Sequence, residues 1–124
     1  MAELAREYSG GKPVNIEHLS KAEAVPANFL AQILGELRNG KLVISKRGVQ
    51  GGFLLSRPPD QITLYDIIKV VEGDLLELSG DPAGTSGRRM RQIWQEVSDT
   101  AASKTRTYTL EQMALRREST MYHI

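Results

Sequence analysis

The sequence predicts a mainly α-helical chain with a small β-hairpin: a winged helix-turn-helix domain plus a long C-terminal dimerisation helix. Three observations predict it. Two amphipathic helical patterns, NIEHLSKAEA and ANFLAQILGELRN, stand on either side of a tight turn. Two short β-prone runs, KLVISK and GGFLLS, follow at once around a glycine-flanked RGVQ tip. Farther on, Met90, Ile93, Trp94, Val97, Ala101 and Ala102 form one apolar stripe at helical spacing.

The elements follow in order. Ala2–Tyr8 reads as the end of a helix stopped by Ser9-Gly10-Gly11. Asn15 can cap a helix starting at Ile16, with Ile16 and Leu19 on its apolar face. Ala24-Val25 makes the turn. The next helix runs from about Ala27 to Asn39, with Phe29, Leu30, Ile33, Leu34 and Leu37 at helical spacing, and Gly40 is expected to end it in the left-handed conformation. Lys41–Lys46 and Gly51–Ser56 are the two strands, and Arg57-Pro58-Pro59-Asp60 breaks the pattern. Thr63 with Asp66 makes a capping box for a helix whose apolar face is Leu64, Ile67, Ile68 and Val71, ended by Gly73. A polar loop leads to the longest helix, about Arg88–Thr105, and Thr109 with Gln112 starts a short last one. The domains expected are a DNA-binding unit over 1–73, a linker over 74–87, and a dimerisation helix, short helix and tail over 88–124.

Composition narrows the function. The chain is 40% hydrophobic and 25% charged, as a globular domain is. It has no apolar run of about 18 residues, the length that suggests a membrane span. MAELAREYSGGK lacks the basic start and apolar stretch of a signal peptide, so a cytoplasmic protein is expected. There is no cysteine, which removes disulfides, thiol catalysis and cysteine-held zinc or iron–sulfur sites. The net charge of +1 hides an asymmetry: from Leu37 to Arg57 there are five basic residues (Arg38, Lys41, Lys46, Arg47, Arg57) and no acidic one. An acid-free basic stretch suits a polyanion.

In a helix-turn-helix the second helix presents its N-terminal side chains to base edges in the major groove. The exposed candidates here are Ala27, Asn28, Ala31 and Gln32; Asn28 and Gln32 can each pair with adenine through two hydrogen bonds. Arg38, Lys41, Lys46 and Arg47 are placed for phosphates or, at the hairpin tip, for the minor groove.

The stretch NFLAQILGELRNGKLVISKRGVQGGFLLSRPPDQITLYDIIKVVEG resembles the winged-helix regulator family that includes the iron–sulfur cluster regulator IscR and the cysteine metabolism repressor CymR. The match is close over Pro13–Gly73 and weaker through Trp94–Leu110. Its strongest motif is Arg47-Gly-Val-Gln-Gly-Gly-Phe53, then Arg57-Pro-Pro and Ile62-Thr63. The resemblance implies a homodimer in which the long helix, through Met90, Ile93, Trp94, Val97 and Ala101, crosses its mate. It also implies that Phe29–Gln32 reads the major groove while Arg47 enters the minor groove.

The chain departs from that pattern in three places. The family's basic segment before the first helix is missing, which leaves two readings: reduced DNA affinity, or a true start upstream of Met1. Pro26 and Ala31 replace a serine cap and a glutamate found in many relatives, which leaves base preference open. The loop DPAGTSGRRMR has no soft ligand where cluster-binding members carry cysteines, and an arginine stands at the usual histidine. No cofactor and no metal are therefore expected.

The remaining motifs are quickly weighed. Gly10-Gly11-Lys12 fails as a phosphate loop, because Arg6 stands at the first glycine position and Pro13 follows the lysine. His18 has no partner at i+4 and reads as a surface or half-buried residue rather than a metal ligand. No serine, histidine and acid grouping suggests catalysis, so no enzyme is expected. The tail Met121-Tyr122-His123-Ile124 ends in isoleucine as CymR-like regulators do, and the resemblance implies docking into the cleft of cysteine synthase (O-acetylserine sulfhydrylase). The leading expectation is a homodimeric repressor of cysteine and sulfur metabolism genes. The alternatives are a small-molecule sensor with a pocket between the long helix and the winged domain, and an interaction module without DNA binding.

Overall fold

The computed structural model describes residues 1–73 and 84–115. Residues 74–83 of the expected 74–87 linker and the tail residues Met121, Tyr122, His123 and Ile124 lie outside the described residues, whereas 84–87 belong to the long helix. Six helices and one two-stranded antiparallel sheet make up the described fold: α1 (Ala2–Arg6), α2 (Ile16–Glu23), α3 (Ala27–Asn39), β1 (Val43–Lys46), β2 (Gly52–Leu55), α4 (Leu64–Glu72), α5 (Gly84–Arg106) and α6 (Leu110–Ala114). This is the winged helix-turn-helix with a long C-terminal helix that the sequence predicts. α1 stops at Arg6, and a 3₁₀ turn over Tyr8–Gly10 takes the place of its expected last residues.

The helix-turn-helix is set by local chemistry. Asn15 Oδ1 accepts from the His18 backbone N–H at 2.7 Å, satisfying a donor of the first turn of α2. Ala24 then takes the left-handed conformation (φ 54°, ψ 45°), and Ser20 Oγ donates to the Val25 carbonyl at 2.6 Å, fixing the bend into α3. Leu34 and Leu37 bury one side of α3 beside Leu19.

Gly40 caps the end of α3 as expected, but not in the left-handed conformation. Its φ is −80°, and the left-handed residue is Lys41 (φ 65°). Lys41 N–H donates to the Arg38 carbonyl and Leu42 N–H to the Leu37 carbonyl, both at 3.0 Å. That is the Schellman pattern, and its usual apolar contact is supplied by buried Leu37 and Leu42. The shift shortens β1, which begins at Val43 and not at Lys41.

The wing pairs Val43 with Leu55, Ile44 with Leu54, Ser45 with Phe53 and Lys46 with Gly52. Val14 adds an antiparallel bridge to Phe53, with two backbone hydrogen bonds of 2.9 Å. A Cβ on Gly52 would fall 2.5 Å from the Val14 carbonyl oxygen, so only glycine admits this approach.

Thr63 and Asp66 form the expected capping box (3.1 and 3.0 Å). The core side of α4 differs from the expected face. Ile67 and Val70 pack on the core, whereas Val71 is exposed, because α4 must meet α3 on one flank and α5 on another. α5 begins at Gly84, four residues before the expected start. Glycine and serine suggest a loop there, yet first-turn N–H groups lack intrahelical partners in any sequence, so weak helix formers are tolerated. The chain then returns: Thr63 bridges Thr109, Leu64 N–H donates to the Tyr108 carbonyl at 2.9 Å, and Leu110 N–H donates to the Ile62 carbonyl at 2.7 Å. Ile62 and Leu110, at 0% and 1% exposure, seal this junction.

Candidate nucleic-acid interface

Asn28, Phe29, Ala31 and Gln32 are all exposed, on the side of α3 turned away from buried Leu34 and Leu37. Phe29 sits at the edge of the apolar pattern and remains 56% exposed, outside the core that helical spacing gave it. Pro26 supplies no side-chain cap to α3. Asn28 Oδ1 accepts the Phe29 N–H at 3.0 Å instead. That hydrogen bond uses one lone pair of Oδ1 and leaves the other and the amide N–H₂ for a base edge. Arg38, seven residues on from Ala31, lies two turns along the same face.

The tight Schellman turn carries the chain from this helix into the wing. Lys46 is the last residue of β1 and Arg47 opens the tip; both are exposed. Among the described residues, the side chains of Arg38, Lys41, Lys46 and Arg47 make no ion pair or hydrogen bond. Arg57, the fifth base of the acid-free stretch, is different. Its Nε donates to the Gln61 carbonyl at 2.9 Å and a terminal nitrogen to Asp66 Oδ2 at 3.0 Å. It fastens the turn after the wing to the capping box of α4. Spacing along the chain does not distinguish this arginine from its four free neighbours; only the fold does.

The expected dimer stripe lies along α5. Met90, Ile93 and Val97 are exposed (57%, 42% and 44%), Trp94 and Ala101 are half-buried, and no α5 residue is buried. Sequence reasoning missed how α5 is tied to the winged unit. The Arg106 guanidinium lies 4.0 Å from the centre of the Tyr65 ring, and Lys104 Nζ 5.3 Å from that of Tyr108. It also missed what faces His18: Glu3 Oε1 is 3.8 Å from His18 Nε2 across the α1–α2 contact. A cleft of about 430 Å³ lies between the 3₁₀ turn, the Pro58-Pro59 turn and α6, away from the place expected for a small-molecule pocket.

Fold and charge together define a winged helix-turn-helix protein with a basic face that is unpaired among the described residues. Residues 1–116 match the Rrf2 family model, described as "Iron-dependent Transcriptional regulator". CymR of Bacillus subtilis is 33% identical over 116 residues, covering 92% of this chain and 80% of that protein. IscR of Sodalis glossinidius is 29% identical over 115 residues (90% and 70%). The solved structure of CymR, the global cysteine regulator of B. subtilis, superimposes with a TM-score of 0.76 at 31% identity, over 91% of this chain and 85% of that one. IscR of T. potens gives 0.71 at 28% identity (98% and 86%). The chain belongs to the Rrf2 family. It is a DNA-binding transcriptional regulator similar to CymR, and not an enzyme.

The family description names iron. Iron–sulfur clusters are held by cysteine thiolates, and this sequence contains none. The donors present do not fit such a cluster.

Proposed function

We propose that the protein represses cysteine and sulfur metabolism genes, binding duplex DNA as a homodimer through α3 and the wing. The observation that carries this reading is the set of four cations, Arg38, Lys41, Lys46 and Arg47, unpaired among the described residues, around the outward face of Asn28, Phe29, Ala31 and Gln32. Free cations gain counterion release on a phosphate backbone, and the α3 side chains supply base discrimination. The homodimer reading rests on the stripe Met90, Ile93, Trp94, Val97 and Ala101, of which Met90, Ile93 and Val97 are exposed, since a long helix with no buried residue needs a partner surface. The sulfur-metabolism reading is supported by likeness to a relative described as the global cysteine regulator.

The test is selection of bound sequences from a random duplex pool, with and without cysteine synthase, followed by mapping of the recovered motif. A two-fold symmetric motif upstream of sulfur-assimilation genes is expected. Failure to enrich any motif rejects the DNA-binding surface, and a motif lying upstream of unrelated genes rejects the sulfur assignment. An altered selection on adding cysteine synthase supports that partner, and an unchanged one removes it.

A further inference from the structure

His18 is exposed at the start of α2 and faces α1. Glu3 and Glu7 stand four residues apart on one side of α1 and its cap, and the donor atoms of Glu3, Glu7 and His18 all lie within 4.8 Å of one another. From this geometry we infer a binding site for one divalent first-row transition-metal ion, held by two carboxylates and an imidazole.

The arrangement is more than a patch of surface acids. The Glu3 side chain is only 12% exposed, and a carboxylate that far from water is costly unless its oxygens are compensated. Arg6 takes one of them, Oε2, at 3.2 Å. Arg6 is itself fixed by donating to the Ala114 carbonyl at 3.1 Å and lies 3.7 Å from Glu23. The other oxygen, Oε1, is left facing His18 Nε2 at 3.8 Å, beyond hydrogen-bonding range. A ligand held this way by an outer partner has the orientation that metal sites require. Glu7 is exposed, and its carboxylate has no hydrogen bond or ion pair among the described residues.

The distances suit a cation. Metal–ligand bonds of about 2.0–2.2 Å place neighbouring donors roughly 3–4 Å apart. Glu3 and His18 already satisfy this at 3.8 Å, and the Glu7 carboxylate lies within 4.8 Å of both. Three carboxylates (Glu3, Glu7, Glu23) stand against two cations, the Arg6 guanidinium and the Met1 ammonium, so the local charge favours a cation although both oppose it. The donor set selects the ion. Imidazole with carboxylates suits manganous, ferrous or zinc ions, and without sulfur it does not suit cuprous ion or a cluster. The site would join α1 to α2, the first helix of the helix-turn-helix. The two carboxylates come from α1 and its cap and the imidazole from α2, so no single helix shows the set, which is why the sequence reads His18 without a ligand partner. The inference stands apart from DNA binding, since none of the three residues lies on α3 or the wing.

The test uses the full chain, stripped with chelator and titrated with manganous chloride up to about 1 mM. Bound Mn²⁺ loses its free-ion electron paramagnetic signal, and one equivalent per chain is expected. Saturation should raise Tm by about 5–10 °C at a hundredfold excess over Kd. Ferrous ion, added anaerobically, should displace the manganese. His18→Ala and Glu7→Gln, both at exposed positions, should lose binding at least tenfold while keeping the Tm of the stripped parent. His123→Ala, which removes the other histidine, should bind as the parent does. No signal loss with the parent, or equal binding by the parent and by the His18→Ala, Glu7→Gln double variant, would overturn the site.

Discussion

Gly40 sits against Val70 so closely that a Cβ on it would fall 2.6 Å from both Val70 Cγ atoms. This glycine exists for contact between the end of α3 and the last turns of α4, and not for an unusual backbone angle. Because α3 enters the wing immediately afterwards, the contact also sets how the helix and hairpin sit on α4.

Gly40→Ala should therefore destabilise by overpacking, by about 1–3 kcal/mol. Val70→Ala alone should also destabilise, by leaving space. The double variant should recover part of the first loss, giving a coupling of about 0.5–3 kcal/mol in urea unfolding. Additive effects would show that the two residues do not constrain each other.

The order of helices and strands was legible because each element carries its own signal. Asn15 and the Thr63–Asp66 pair cap as their sequence says, and the alternation around Arg47–Gln50 marks the hairpin. What was not legible arises between elements. Nothing in Asn39-Gly40-Lys41 tells that the glycine faces Val70 while the lysine takes the left-handed angle, since glycine's own preference argues for the opposite. Arg57 counts with the other bases of the acid-free stretch until Asp66 and Gln61 are brought to it. The exposed face of Asn28 to Gln32 was legible from helical spacing, with Phe29 the exception: it belongs to the apolar count and not to the core.

Arg57 and Lys46 separate structural from interfacial charge. Arg57→Ala should lower stability by about 1 kcal/mol, the scale of a partly exposed ion pair with one added hydrogen bond. It should leave the salt dependence of DNA binding unchanged when measured well below Tm. Lys46→Ala should leave Tm unchanged, weaken all duplexes alike and flatten the slope of log K against log salt by about one. Thermal melts and fluorescence anisotropy at several salt concentrations check both. Exchange of the two behaviours would contradict the assignment of the charges.

Gln32→Ala should behave differently from either. Gln32 is exposed on the outer side of α3, six residues before Arg38. Losing a two-point contact to a base should cost about 1–3 kcal/mol on the selected site and little on random duplex. Competition between the selected site and single-base variants reads this directly. A uniform loss on all sequences would mean that Gln32 touches the backbone and not a base.

Val97→Glu tests the α5 stripe. Val97 is 44% exposed in the single chain, between Ile93 and Ala101 on the same helical side. A pairing of two α5 helices would cover it, and a glutamate there would be buried opposite its own symmetry mate without a cation. The same substitution on a helix that stays in water costs almost nothing, since surface changes lie within about 0.5 kcal/mol. Sedimentation velocity at tens of micromolar should thus show a dimer for the parent and a monomer for the variant. Circular dichroism should report equal helix content, because the winged unit keeps its own ties to α5 through Tyr65 and Arg106. DNA binding by the monomeric variant should fall further on a two-fold site than on a half-site, as only the former uses both copies. A parent that sediments as a monomer at this concentration, or a variant that remains dimeric, would remove α5 as the dimer contact.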